Sequence, residues 1–131
     1  MARENIETVS RLYDAFNRRD LAEEIKRLDP DFEWRFDERN LLQEPIRGRD
    51  NLRRFLDDQI DVLDVQLEAE ELLEKGDHVV AILRVRVRGQ ASGAEADVRN
   101  AHLWTFEAGK AVRVQGYAEP GKALEAAGLE R

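Results

Sequence analysis

Apolar residues return at steps of three and four in the first segment, at Ile6, Val9, Tyr13 and Phe16, with Arg3, Glu4, Glu7, Arg11 and Arg18 between them. This spacing predicts an amphipathic helix from Arg3 to Asn17 with one buried stripe. Asp20 followed by Glu23 has the spacing of a capping box, and Leu21, Ile25 and Leu28 give a short second helix its apolar side until Pro30 stops it. Phe32, Trp34 and Phe36 then alternate with Glu33 and Arg35. A strand follows, with all three rings pointing inward. The pattern dissolves from Asp37 to Arg47, where a loop is expected that covers or rims something. Gly48 opens a third helix, in which Leu52, Phe55, Leu56, Ile60 and Leu63 recur at helical spacing and Arg53, Arg54, Asp57, Asp58 and Asp61 take the wet side.

Beyond that helix the period changes to two. Val65 to Glu74, His78 to Arg88, Ala94 to Glu107 and Lys110 to Ala118 are β-prone runs separated by Gly-containing turns, which predicts an antiparallel meander. Glu119-Pro-Gly121 breaks it, and Lys122 to Ala127 makes a short terminal helix. In the first hairpin Arg84, Arg86 and Arg88 share one face, as do Asp64, Gln66, Glu68 and Glu70 on the neighbouring strand. These meet only if the Glu74 to Asp77 turn holds the odd residue count of a bulged loop with Gly76 left-handed, and that turn is expected. The charged face is either solvated or a self-complementary dimer surface.

Length and composition narrow the functional classes. The 131 residues fit one domain spanning 1-131, and 42% hydrophobic content suffices for a core. No apolar run reaches the ~20 residues of a membrane span. The start of the chain runs directly into the amphipathic pattern, so a cytoplasmic location is expected and no membrane partner. With no cysteine, disulfides, thiolate catalysis and Cys-containing metal sites are excluded. His78 and His102 lack the further ligands of a metal site, and the aspartates at 57, 58, 61 and 64 lie on helical spacing rather than on a Gly-centred calcium loop. Phosphate-binding glycine loops and the Gly-x-Ser-x-Gly elbow are absent, so no cofactor and no metal is expected. The net charge of -7 disfavours nucleic acid as a partner.

The order of elements, together with the words Arg11-Leu-Tyr-Asp-Ala-Phe-Asn-Arg-Arg-Asp20, Gly48-Arg-Asp-Asn-Leu-Arg-Arg-Phe55, His102-Leu-Trp-Thr-Phe-Glu-Ala-Gly-Lys110 and Ala123-Leu-Glu-Ala-Ala-Gly-Leu129, resembles the SnoaL-like polyketide-cyclase branch of the nuclear transport factor 2-like superfamily, which also contains ketosteroid isomerase-like proteins. The resemblance implies an α+β fold, a cystatin-like roll in which a curved antiparallel sheet wraps three N-terminal helices into a cone. It also implies an apolar pocket at the open end and a homodimer through the sheet. The scaffold hosts many chemistries, so the fold alone does not assign one.

Aligned on that family, the isomerase base position falls on Phe36 and the oxyanion-donating tyrosine on Leu12, one residue before Tyr13. The acid near the end of the last strand in cyclases and epoxide hydrolases falls on Gly116, and a one-residue shift would bring Gln115 or Tyr117 there. Asp97-Val-Arg99 has the residue types of the hydrolase site in a different register. The surviving family feature is His102, ahead of the Trp-Thr-Phe word.

Alternation puts Val98, Asn100, His102, Trp104 and Phe106 on one strand face, which the family fold directs to the pocket. His102 is then a catalytic acid or base, a polar anchor for a ligand carbonyl, or a packed histidine without chemistry. Tyr13, Phe16, Trp34, Phe36, Phe55 and Trp104 converge on the same region, either lining a cavity for a flat apolar ligand or filling the core. Three functions remain. One is binding of a small apolar molecule by Tyr13, Phe16, Trp34, Phe55 and Trp104 with a polar point at Asn100 and His102. Another is a cofactor-free cyclase, isomerase or dehydratase acting on an apolar carbonyl compound through His102. The third is a structural or regulatory dimer with a closed cavity.

Overall fold

The computed structural model describes residues 2–37, 44–60 and 63–129. Helix α1 (Ala2–Asn17) leads to a single 3-10 turn (Glu24–Arg27), strand β1 (Leu28–Arg35), the two-residue strand β2 (Ile46–Arg47) and helix α2 (Arg49–Ile60). Strands β3 (Leu63–Lys75), β4 (His78–Gly89), β5 (Glu95–Glu107) and β6 (Lys110–Tyr117) follow, then α3 (Pro120–Ala126). They form one curved six-stranded sheet in the order β2-β1-β6-β5-β4-β3. The architecture is the expected α+β roll, with one refinement. The meander is antiparallel throughout, but β1 joins β6 in parallel, with Trp34 beside Val114 and Arg35 beside Gln115.

The inner face carries the main core. Val9, Leu12 and Tyr13 of α1 and Leu52 and Leu56 of α2 pack on Phe32, Val79, Ala81, Leu83, Trp104, Phe106 and Val114 of the sheet. At the other face α3 lays Ala123, Leu124 and Ala127 over Val80, Ile82, Ala101 and Leu103. This explains the nearly continuous apolar run at the start of β4, which is buried on both sides, while its later half alternates with Arg84, Arg86 and Arg88.

Several local expectations need correction. The Asp20 capping box does not form a helix: the Asp20 amide closes on Ala15 O, and the 3-10 turn that follows has no side-chain cap. The turn fails to lengthen because the chain is already extended by Leu28, so Pro30 sits inside β1 and is not a helix stop. Leu63 begins β3 and is not part of α2. Residues 38–43 of the expected loop, Asp61 and the Ile60 side chain lie outside the described residues.

The first hairpin brings arginines and acids together by a different device from the expected one. Lys75 pairs with His78 around a plain two-residue turn in which Gly76 has φ of 59°. The extra residue is Glu70, where the register slips between Ala69 and Glu71. That mid-strand bulge restores the parity, so Asp64, Gln66 and Glu68 stand opposite Arg88, Arg86 and Arg84. The face is laced by ion pairs, Arg84 with Asp97, Arg86 with Glu68 and Arg99 with Glu70.

Strand β3 is a sheet edge, and α1 pairs part of it. Asn17 Nδ2 donates to Leu67 O at 2.7 Å while the Leu67 amide donates to Asn17 Oδ1 at 2.9 Å, so one side-chain amide substitutes for a neighbouring strand. Asn17→Ala leaves both partly buried backbone groups without that partner and should cost about 1–2 kcal/mol. Urea unfolding measures the loss, and faster hydrogen exchange at the Leu67 amide locates it. Among the described residues no helix is long and apolar enough to cross a membrane.

Candidate active or binding site

Between the helices and the inner sheet face lies a cavity of about 700 Å³. Period-two alternation along β5 turns Val98, Asn100, His102 and Trp104 onto its wall. α1 contributes Tyr13 and Phe16, β1 contributes Trp34 with Phe36 just beyond it, and α2 contributes Phe55. All seven residues singled out as ligand contacts, Tyr13, Phe16, Trp34, Phe55, Asn100, His102 and Trp104, therefore line one cavity, together with Phe36. The rings do not close it. They pack edge-on at its wall, Phe36 against Phe55 at 5.5 Å and Trp34 against His102 at 5.2 Å.

The polar end of the cavity is a hydrogen-bonded chain. Trp104 Nε1 donates to the Tyr13 hydroxyl at 2.8 Å, and that hydroxyl lies 2.8 Å from His102 Nδ1. An indole N–H only donates, so the Tyr13 oxygen accepts from Trp104. The phenol proton then has a single buried partner, the lone pair of His102 Nδ1, and the imidazole carries its own proton on Nε2. Burial pushes the Tyr13 phenol well above its ordinary range despite the Trp104 hydrogen bond, and pushes His102 down to about 4. Both groups are uncharged at neutral pH. An imidazole in this state is a poor base, because Nδ1 is engaged and Nε2 already bears the proton.

Asn100 stands two residues before His102 on the same face. Its Oδ1 is closed off from solvent without a hydrogen-bond partner, a state shared among the described residues only by Glu74 Oε2. His102 Nε2 has no partner among the described residues and is not closed off in this way. The amide of Asn100 and the outer nitrogen of His102 are thus two uncommitted polar groups at the wall.

The register of β6 places Gly116 opposite His102, and Gly116 borders the cavity. Gln115 turns instead to donate from Nε2 to Phe36 O at 2.6 Å, linking β6 to the end of β1. A Cβ at Gly116 would lie 3.5 Å from Asp37 N and 3.6 Å from Arg35 O, ordinary contacts, so space does not demand glycine here. The family's acid position is empty of an acid by sequence and not by crowding. Leu12, at the family's tyrosine position, is buried and also lines the cavity. The adjacent Tyr13 carries the hydroxyl.

Two features escaped sequence reasoning. Asp37 reaches the wall at the end of β1, with Oδ2 accepting the Ala118 amide at 2.5 Å; its position directly after an inward-alternating strand was the available signal. The link between Tyr13 and His102 had none, since 89 positions separate them. His78 is half-buried and within 3.2 Å of Thr105 Oγ1. Among the described residues no group of His, Asp and Glu could hold a metal ion.

No curated protein matches the chain in sequence. Solved structures do. An NTF2-like protein of unknown function from Burkholderia pseudomallei is 26% identical with a TM-score of 0.78, over 95% of this chain and 97% of that one. TerC, co-crystallised with polyporic acid, is 28% identical with a TM-score of 0.77 over the same shares. A candidate SnoaL-like polyketide cyclase from Jannaschia sp. CCS1 shares the fold, with a TM-score of 0.78 at 18% identity over 100% and 96% of the two chains. The SnoaL-like domain model matches residues 9–114, which span the second half of α1, the early strand, α2 and most of the meander, and the chain belongs to the SnoaL-like domain family of the nuclear transport factor 2-like superfamily.

Proposed function

We propose that this protein binds one small, flat, apolar molecule in the cavity between α1, α2 and the inner sheet face. One observation carries the reading: a space of about 700 Å³ walled by aromatic rings, with the Asn100 amide and His102 Nε2 uncommitted at its polar end. A ring system buried there would exchange water for apolar surface, and the two polar groups would set its orientation. The crystals of TerC with polyporic acid, in a relative aligned over nearly the full chain, support a small-molecule ligand. Binding is favoured over acid-base catalysis by His102, because a neutral imidazole with a proton already on Nε2 has no strong base to offer toward the cavity. The reading includes a homodimer through the outer sheet face, which equilibrium sedimentation would report as twice the chain mass.

Polyporic acid is the first ligand to titrate, with tryptophan fluorescence as the signal, since both tryptophans stand on the wall. The expected result is saturable binding of one molecule per chain, weakened roughly tenfold in Phe55→Ala, the factor that about 1.4 kcal/mol of lost ring contact represents. Absence of saturable binding by this and other flat aromatic compounds would overturn the reading.

A further inference from the structure

Strand β5 outruns its neighbour β6. The last residue of β6 to pair with it is Tyr117, opposite Ala101, so Glu95 to Asn100 are paired with β4 alone among the described residues. At the hairpin end the Gly89 amide donates to Ala94 O at 2.9 Å. Alternation along an antiparallel ladder then turns the N–H and C=O of Glu95, Asp97 and Arg99 away from β4. Every residue from Glu95 to Arg99 is exposed, and Val98, at 49%, is the exposed large hydrophobic residue among those described. The edge of β3 is met by Asn17, and no described residue does the same for this part of β5. An open edge of this kind is a template for another strand.

We propose that this edge pairs antiparallel with the same edge of a second copy of the chain, about a twofold axis at Asp97. The side chains select the axis. Centred on Asp97, the pairing sets Glu95 of each copy opposite Arg99 of the other and Ala96 opposite Val98, and every outward N–H and C=O of Glu95, Asp97 and Arg99 finds a partner. Centred on Ala96, it would face Glu95 with Asp97, two like charges. Centred on Val98, it would bring Glu95 against Ala101, whose outer side Tyr117 already holds. The two Asp97 carboxylates that meet at the axis are each bound by Arg84, through Nε to Oδ1 at 3.0 Å and Nη2 to Oδ2 at 2.7 Å, which offsets their repulsion. Glu95 takes no part in the ion pairs of this face among the described residues, so its carboxylate is available to Arg99 of the second copy. Val98 and Asn100 line the cavity, so the second copy's strand would lie along the cavity's rim. The contact is separate from the outer-face homodimer and does not depend on the binding reading.

Cysteine pairing and charge exchange test it, in a chain that has no cysteine of its own. Ala96 and Val98 of opposite copies form a non-hydrogen-bonded pair with Cα atoms about 4.5 Å apart, within reach of a disulfide. Mixing Ala96→Cys with Val98→Cys under mild oxidation should therefore give a disulfide-linked dimer. Either variant alone should give little, because like positions are offset along the two strands. Alternation puts both side chains on the inner sheet face, so an outer-face dimer cannot produce this link. In equilibrium sedimentation, Glu95→Lys and Arg99→Glu should each weaken the edge contact about tenfold, since each sets two like-charge pairs across it. An equimolar mixture of the two variants should restore it, because every facing pair is again of opposite charge. A mixed disulfide no more abundant than in the single variants, self-association unchanged in both charge variants, a mixture no better associated than its components, or a wild type that stays monomeric would each overturn the proposal.

Discussion

Lowering the pH from about 6.5 to about 4 should remove about 3 kcal/mol of folding stability that His102→Gln does not lose. In the unfolded chain the imidazole takes its proton near the ordinary value of 6.5, whereas burial in the folded protein postpones protonation to about 4. Between those values the unfolded state binds more protons, so stability rises with pH. The contribution is complete above about 6.5, is lost as the pH falls toward about 4, and changes no further below it, where both states are protonated. The physical origin is the site itself: His102 is only 7% exposed, and its ring neighbours are Tyr13, Trp34 and Trp104. No cation is welcome among them. Carboxylates titrate in the same range, so the quantity to measure is the difference between wild type and His102→Gln in urea unfolding at stepped pH. Parallel curves would mean that His102 is charged or solvated in the folded protein, against the account.

Tyr13→Phe should cost about 2–4 kcal/mol, although it removes a single oxygen and keeps the ring. The hydroxyl is the hub of the chain, accepting from Trp104 Nε1 and donating to His102 Nδ1, both at 2.8 Å. Its loss leaves an indole N–H and an imidazole lone pair without their buried partner, and each such group costs about 1–2 kcal/mol. Packing should change little, because Tyr13 meets Trp104 edge-on at 5.9 Å through its ring. Chemical unfolding would show the loss at an unchanged dependence on denaturant. A cost under about 0.5 kcal/mol would mean that the hydroxyl is not the shared partner of the two groups.

The residues that were legible in the sequence are those whose placement follows from a local period. The α1 stripe of Tyr13 and Phe16 and the β5 alternation of Asn100, His102 and Trp104 both reach the cavity because each element has one covered face, and the period states which residues lie on it. The inward rings of β1 follow for the same reason, with Phe32 fully buried and stacked on Trp104 at 5.9 Å. What stayed hidden depends on how elements meet. The Tyr13 to His102 hydrogen bond requires the rotation of α1 over a strand 89 residues away. The Glu70 bulge has no compositional signature: an acidic residue among acidic residues marks nothing, and only the paired arginines show that the parity changed. The parallel union of β1 with β6 likewise lies beyond any local pattern, yet it brings Asp37 and Gly116 to the same wall. Capping spacing at Asp20 misled for the converse reason, since a local signal was overridden when the chain extended into β1 at Leu28.

The most direct test of the account is a crystal structure of the protein grown with polyporic acid. The predicted result is the ligand between Phe16, Trp34 and Phe55 with an oxygen within hydrogen-bond distance of His102 Nε2, and Tyr13 still bridging His102 and Trp104. A cavity filled by its own aromatic rings, or a ligand bound elsewhere on the molecule, would contradict it.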